Sequence, residues 1–359
     1  MFQKFSLIII FGLFFTSCKK EEIDLSSVDY ITITSLVPQV YLGSGNSLEL
    51  KPKAYDSLGR SLYRSGWKFY ADGEKITSRF YPDQDGLYNV WVELGELTSD
   101  TLQIQAVGEK KYDLFTFKMI IHVVNLPDLD FELIYESYEH ANKACSNNLG
   151  SESPNAQSPA FYFELAEVDP FGKALEHHGI IVEQDIPPDI KLRELQEIKK
   201  LRQWNPDQYI NVWISDVHPN AWANLPFLDE YHSIAELDTI PEEQKSVLSM
   251  VNIMPEQLGG DNNTLTHELG HFFGLYHLFT TSCLYDADYC SDTPKYVHPG
   301  KNDLPYESCN GWNFYRDNHM DYTNEPTFTF TYQQVERMRY VLKYGRYVGN
   351  RRGLEYQPF

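Results

Sequence analysis

Residues His267 to His277 read HELGHFFGLYH, the pattern His-Glu-x-x-His-x-x-Gly-x-x-His, and no other stretch restricts the chain so tightly. On a helix, His267 and His271 lie one turn apart on one face, so both imidazoles can reach a single metal ion. Glu268 is rotated about 100° from His267, which places it poorly as a further ligand and well for holding a metal-bound water. His277 would lie roughly 15 Å along the axis from His267 if the helix continued, out of reach of the same ion. The chain must therefore turn back, and Gly274 permits this because glycine adopts φ > 0 without steric penalty. Three neutral imidazoles would then close one face of a zinc ion and leave the fourth position to water. Glu268 would take that water's proton and later pass it to a leaving nitrogen. Leu269, Phe272, Phe273 and Leu275 also suit a core helix, and packing and metal binding are compatible in one segment.

A second segment, Asn318-His319-Met320-Asp321-Tyr322, follows downstream. Together the two resemble the metzincin zinc endopeptidases, whose long metal motif is followed by a methionine turn. Cys290-Ser291-Asp292-Thr293-Pro294, and Phe161-Tyr162-Phe163-Glu164-Leu165-Ala166 with Asp169-Pro170 and Gly172, are most similar to the pappalysin branch, that of pregnancy-associated plasma protein A. The resemblance covers roughly residues 110 to 345. It implies an α+β metzincin-type peptidase domain with His267, His271 and His277 as zinc ligands and Glu268 as the catalytic base. It gives Met320 a structural place beneath the site. It also implies that Tyr322 touches the zinc or stabilises the oxyanion, with core packing as the alternative. His319 is expected behind the ligands or at the surface rather than as a fourth ligand. The family's loop region after the third ligand is disulfide-stapled, which makes Cys283–Cys309 the preferred bond here and Cys145–Cys290 the second. Relatives bind calcium in this region, and Asp286, Asp288 and Asp292 carry the closely spaced carboxylates that suit a hard cation; a solvated acidic loop is the alternative. His298 and His232 are read as solvated.

The first 17 residues read as a signal peptide. Lys4 supplies the positive charge, and the apolar run Phe5 to Phe15 is too short to cross a bilayer core of about 30 Å. The stretch Phe15-Thr16-Ser17-Cys18 resembles the bacterial lipoprotein signal, with Cys18 lipidated and residues 18–28 a polar tether. The expected place is outside the cytoplasm, anchored at the cell envelope. The formal net charge is −21, and about −22 without the lysine of the signal peptide. Such acidity offers no basic patch for nucleic acid and no attraction to an anionic bilayer, so a lipid chain is the physical means of holding the protein at a membrane. Four cysteines remain beyond Cys18, as two disulfides in an exported chain would require.

At 359 residues there is room for two domains. Tyr30 to Thr34, Ser47 to Lys53, Leu87 to Leu94 and Thr101 to Val107 alternate in the manner of strands, with turn signals at Asp56 to Gly59, Ala71 to Gly73 and Asp83 to Gly86. Short strands at this spacing suggest a small all-β immunoglobulin-like sandwich over residues 29–107, serving as a spacer or a binding module. Gly108 to Lys111 reads as a linker before a metzincin domain over residues 110–349. There, Leu114 to Asn125 has the continuous apolar character of an inner strand, with His122 a structural histidine. Leu133 to Asn147 and Ile190 to Gln203 read as helices and Tyr209 to Ser215 as a strand. The motif helix is expected to begin near Asn263 with Thr264 as its cap. An amphipathic helix should follow Thr331, with Met338, Val341 and Leu342 on one face.

Three functions stay open. The favoured one is a lipid-anchored zinc endopeptidase cutting proteins or peptides, because Glu268 is intact. The others are a surface-binding lipoprotein with a vestigial peptidase domain, and a zinc amidase acting on a non-protein amide.

Overall fold

The computed structural model describes residues 25–350, apart from 26, 43–46, 109, 152, 154, 218, 240–248, 261, 286–287, 299–305 and 324–325. The signal peptide, Cys18, most of the tether and Asp286 lie outside the described residues.

Two large apolar cores, with two smaller clusters, organise the described residues. The first is built from the N-terminal strands. Tyr30–Thr34, Lys51–Tyr55 and Ser61–Leu62 form one antiparallel sheet. Gln39–Tyr41, Leu102–Val107, Gly86–Leu94, Lys68–Ala71 and Glu74–Ile76 form another, in that order, with Leu97–Thr98 paired to Gly86–Leu94. The period-two alternation of Gly86–Leu94 turns Val90, Val92 and Leu94 inward, where they meet Ile33, Val40, Ala54 and Ile104 from both sheets. Gln39–Tyr41 pairs parallel to Leu102–Val107, while the first strand belongs to the other sheet. The expected run Ser47 to Lys53 divides at Leu50. Leu48–Glu49 pairs with Arg79–Phe80, and Lys51–Tyr55 with the first strand.

The second core lies beneath a sheet ordered Phe161–Leu165, Phe115–Val124, Tyr209–Ile214, Val251–Ile253, Trp222–Ala223. Ile180–Glu183 also pairs with Phe115–Val124. All pairings are parallel except that of Trp222–Ala223, which closes one edge antiparallel. Parallel neighbours need crossover helices. These are α1 (Phe131–Cys145), between the first two strands in sequence, and α2 (Leu192–Arg202), before Tyr209–Ile214. The helix α1 starts two residues ahead of the sequence expectation because the Asp130 carboxylate caps it, accepting from the Glu132 amide at 3.0 Å. Beyond lie the motif helix α3 (Thr264–Phe272) and the C-terminal helix α4 (Tyr332–Tyr344). Phe117, Phe163, Ile210 and Val251 from the sheet pack with Leu269, Phe272 and Phe273 of the motif segment. This is α+β architecture in which the sheet forms a floor for α3.

Cys283 and Cys309 are bonded, as preferred. The second expected bond is absent: Cys145 and Cys290 are both buried free thiols. Cys145 ends α1 inside the sheet core, whereas Cys290 sits in the loop beside Asp288 and Thr293, so the two thiols are held by different parts of the fold.

His122 is the structural histidine expected of it. Its Nδ1 lies 2.6 Å from Glu183 Oε1 and its Nε2 3.2 Å from Asn211 Oδ1, and its ring stacks on Trp213 at 4.0 Å. Near it, the fully buried Lys199 donates to Asn252 Oδ1 at 2.6 Å and lies 5.3 Å over the Trp213 ring. Burial pulls the Lys199 ammonium down to about 7. The unfolded chain therefore binds more protons than the folded one between about pH 7 and about pH 10.4. Stability from this residue rises with pH through that window and is level below about 7, where both states hold the proton. Lys199→Met should remove a gain of up to about 1.4 kcal/mol per pH unit above pH 7. Urea unfolding of both proteins at about pH 6.5, 8 and 9.5 reads the difference; parallel curves would mean that Lys199 keeps its proton.

Candidate metal and active site

The helix α3 turns its two chemistries to opposite sides. Leu265, Leu269 and Phe272, at spacings of four and three, enter the core, which leaves His267 and His271 one turn apart on the side of the cleft. Its N-terminus differs from expectation. Thr264 is the first helical residue, and its amide and hydroxyl both bond to Asn262 Oδ1, at 2.9 and 2.5 Å. The N-cap residue is Asn263, whose side chain makes no capping bond; the preceding Asn262 accepts the first helical amide instead. The C-terminus closes through Gly274. The Leu275 amide donates to the Gly270 carbonyl and the Gly274 amide to the His271 carbonyl, a Schellman closure with Gly274 at φ +88°. A Cβ on Gly274 would lie 2.9 Å from Val341 Cγ2 and 3.0 Å from Leu237 Cδ1, so packing and backbone both demand glycine.

This reversal brings the third histidine back. His277 Nε2 lies 3.0 Å from His267 Nε2 and 2.9 Å from His271 Nε2. His267 Nδ1 donates to the His319 carbonyl and His271 Nδ1 to the Leu275 carbonyl, both at 2.8 Å. Each bond fixes the proton on Nδ1 and turns the Nε2 lone pair into the shared space. Converging lone pairs repel each other unless a cation lies between them. Zinc–nitrogen bonds of about 2.0–2.1 Å in a tetrahedron set the nitrogens about 3.3 Å apart, a few tenths of an ångström wider than here. The three imidazoles fit a tetrahedral metal, and among the described residues they are the one group of three or more His, Cys, Asp and Glu side chains so gathered. Burial, with the His271 ring beside it, pulls His267 down to about 3. Burial and the rings of His271, His267 and His298 pull His277 down to about 2, and burial lowers His271. All three are neutral at pH 7, the form a metal ligand requires.

Glu268 is 5 % exposed and lines the same cleft. Its Oε2 makes no hydrogen bond within the protein. Burial pushes its carboxyl up to about 8. A dication nearby opposes that shift by favouring the carboxylate.

Met320 is fully buried and packs under the helix at Gly270, where an added Cβ would meet its Sδ at 2.2 Å. His319 is also fully buried. Its Nδ1 lies 2.8 Å from Asn263 Oδ1 and 2.9 Å from Thr327 Oγ1, and it supports His267 through its main chain. Tyr322 is half exposed in the cleft, its ring 4.4 Å from that of His277 and 5.6 Å from that of His267. Burial and the nearby Glu268 raise its phenol.

Other residues carry the site without a sequence signal. Tyr296 Oη donates to Asp321 Oδ1, Arg316 Nη1 donates to the Tyr322 carbonyl, and Arg316 lies 3.6 Å from Asp321. These buried groups hold the turn from below. His298, read as solvated, lines the cleft beside Tyr322 and Phe279. Its ring belongs to a loop brought there only by the fold. His232 is engaged too: it bonds Asp229 at 2.6 Å and stacks on Tyr344 at 3.6 Å. Of the expected calcium ligands, Asp286 lies outside the described residues, and Asp288 and Asp292 are each engaged within the protein. Asp288 accepts from Thr293 Oγ1 and the Cys290 amide, and Asp292 from Thr331 Oγ1 and the Gln333 amide. The cleft itself measures 830 Å³ and is bordered by the edge strand Trp222–Ala223, Asn220 and Leu192.

Gly270→Ala decides between two opposed effects. Alanine gains about 1 kcal/mol of helix propensity, while overpacking against Met320 costs about 1–3 kcal/mol. A lower unfolding temperature is expected by calorimetry, and a higher one would mean that Met320 moves aside freely.

Residues 194–343 match the family model of pregnancy-associated plasma protein-A. An extracellular metalloprotease of Arthroderma benhamiae is 33% identical over 93 residues, which are 23% of this chain and 30% of that protein. One of Colletotrichum graminicola is 38% identical over 90 residues, 21% of this chain and 29% of the other. The chain thus spans about a third of the length of the curated relatives it matches. Among solved structures, Tannerella forsythia mature mirolysin in complex with a cleaved peptide aligns with a TM-score of 0.50 at 22% identity, covering 65% of this chain and 93% of that one. Promirolysin from the same organism aligns with a TM-score of 0.52 at 20% identity, over 65% and 81%. At these identities the likeness is one of fold. Motif, family match and fold agree over the matched segment: residues 194–343 are similar to the pappalysin family, on a fold like that of mirolysin.

Proposed function

We propose that the chain is a zinc endopeptidase, and one observation carries the reading: three neutral imidazoles converge on one point in the cleft that also holds the unbonded carboxylate oxygen of Glu268. His267, His271 and His277 would hold the metal. A bound zinc ion supplies Lewis acidity, which acidifies water and polarises a carbonyl. Glu268 removes the proton from the attacking water and returns it to the amine as the peptide bond breaks. Tyr322 stands at the cleft side of His277 with its hydroxyl available to the developing oxyanion. The edge strand Trp222–Ala223 beside the cleft supports an extended peptide as substrate by strand addition.

The same reading divides the chain into an immunoglobulin-like domain at residues 29–107 and a catalytic domain at residues 110–349. Support for the first is its shared two-sheet core and the passage of its first strands from one sheet to the other. Lipidation at Cys18 would place the enzyme outside the cytoplasm at a membrane. Among the described residues no helix is long and apolar enough to cross one.

Glu268→Ala should keep the metal and lower cleavage about 10²–10⁴-fold. The check is zinc content beside mass-spectrometric mapping of new termini in a denatured protein mixture; undiminished cleavage would refute the mechanism. Tyr322→Phe should lower kcat about 10²-fold with little change in KM, whereas a packing role would change unfolding temperature and leave kcat alone.

A further inference from the structure

The two cores meet along a seam of polar side chains, of which Gln39 and Asp292 are buried. Gln39, 3 % exposed, accepts from Gln333 Nε2 at 2.7 Å, and its own Nε2 lies 3.5 Å from Asp292 Oδ2. Trp312, also buried, donates to Thr34 Oγ1 at 3.1 Å and lies under the Lys51 ammonium at 4.6 Å. Asn310 donates to the Ser35 carbonyl at 2.7 Å. A spacer on a loose join keeps its amides in water; burying them requires partners fixed in place.

Asn155 donates to the Gln39 carbonyl at 3.5 Å. Asp292, Asn310, Trp312 and Gln333 lie between the third histidine and the first turn of α4, and from them two routes lead to the site, one of hydrogen bonds and one through a ring contact. Along the first, Asp292 accepts from Thr331 Oγ1 at 2.8 Å and from the Gln333 amide at 2.9 Å, which sets the N-terminus of α4. The Gln334 side chain joins the Thr331 amide to Asn318. Asn318 Oδ1 accepts from the Met320 amide at 2.9 Å, and the adjoining His319 carbonyl accepts from His267 Nδ1. Along the second, the hairpin that carries Trp312 places Phe314 5.2 Å from the Tyr296 ring, and Tyr296 bonds Asp321.

We infer that the N-terminal sheets form a docked brace of the metal site, with Gln39 and Trp312 as positioning residues that fix the methionine turn, and through the His319 carbonyl the orientation of His267. The inference rests on the zinc reading only for one of its two readouts. The other, the rigidity of the turn, is independent of any metal.

The full chain is compared with Gln39→Ala, with Trp312→Phe, which keeps the ring on Lys51 and removes the bond to Thr34, and with Trp91→Ala as a control. Trp91 stacks on Tyr70 on the outer face of its sheet, away from the seam contacts. Amide hydrogen exchange is followed for residues 318–321, and zinc affinity by chelator competition. Removing a support several bonds from a ligand should weaken zinc binding about 3- to 10-fold, less than the loss of a direct outer partner. Residues 318–321 should exchange about tenfold faster in both seam variants. Trp91→Ala should lower the unfolding temperature and leave both readouts at wild-type values. Exchange at residues 318–321 unchanged in both seam variants would overturn the brace, as would an equal rise in Trp91→Ala. A wild type that takes up no zinc would instead sink the zinc reading, and the exchange data would decide the brace alone.

Discussion

The site depends on a contact that leaves no room for a side chain. Gly270 of the motif helix and Met320 of the turn approach so closely that a Cβ would overlap the thioether. That approach brings the His319 carbonyl within 2.8 Å of His267 Nδ1. One imidazole is thereby fixed in tautomer and direction by main-chain atoms, which cannot rotate away as a side-chain partner can. The Leu275 carbonyl does the same for the second histidine, and the helix reversal at Gly274 returns the third to them.

Electrostatics follow from this packing. Three rings pressed together and withdrawn from water cannot hold protons at neutral pH. Burial lowers the imidazoles and raises Glu268, so it moves the ligands and the base in opposite senses, whereas a positive ion lowers both. A dication stabilises the carboxylate while leaving the imidazoles unprotonated. Apolar walls and a metal therefore act together to set the one protonation state in which the constellation can work.

The region around the site is more polar than a packed core usually is. His122, Glu183, Arg202, Asn211 and Lys199 form a buried network about Trp213 on one side of the sheet. Arg316, Asp321 and Tyr296 form another beneath the turn. Buried polar groups specify geometry because a displaced partner leaves an unpaired group in low dielectric. The seam to the N-terminal sheets follows the same principle, with the Gln39 and Gln333 amides set beside the Asp292 carboxylate.

The sequence by itself determined the elements whose information is local. The spacing of His267, His271 and His277 with Gly274 between them required a helix and a reversal. The apolar run of Phe115–Val124 marked the central strand, and the turn Asn318 to Tyr322 was readable from its residues. Tertiary structure decided what depends on distant segments. Cys145 and Cys290 remain apart, because α1 and the loop hold them in different surroundings. His298 enters the cleft from a loop with no pattern of its own. The grip of Arg316 and Tyr296 on Asp321, and that of Gln39 on Gln333, pair residues whose separation in the chain carries no signal. Periodicity and steric demands are written residue by residue, whereas a buried polar partner is selected by whichever side chain the fold delivers within hydrogen-bond reach.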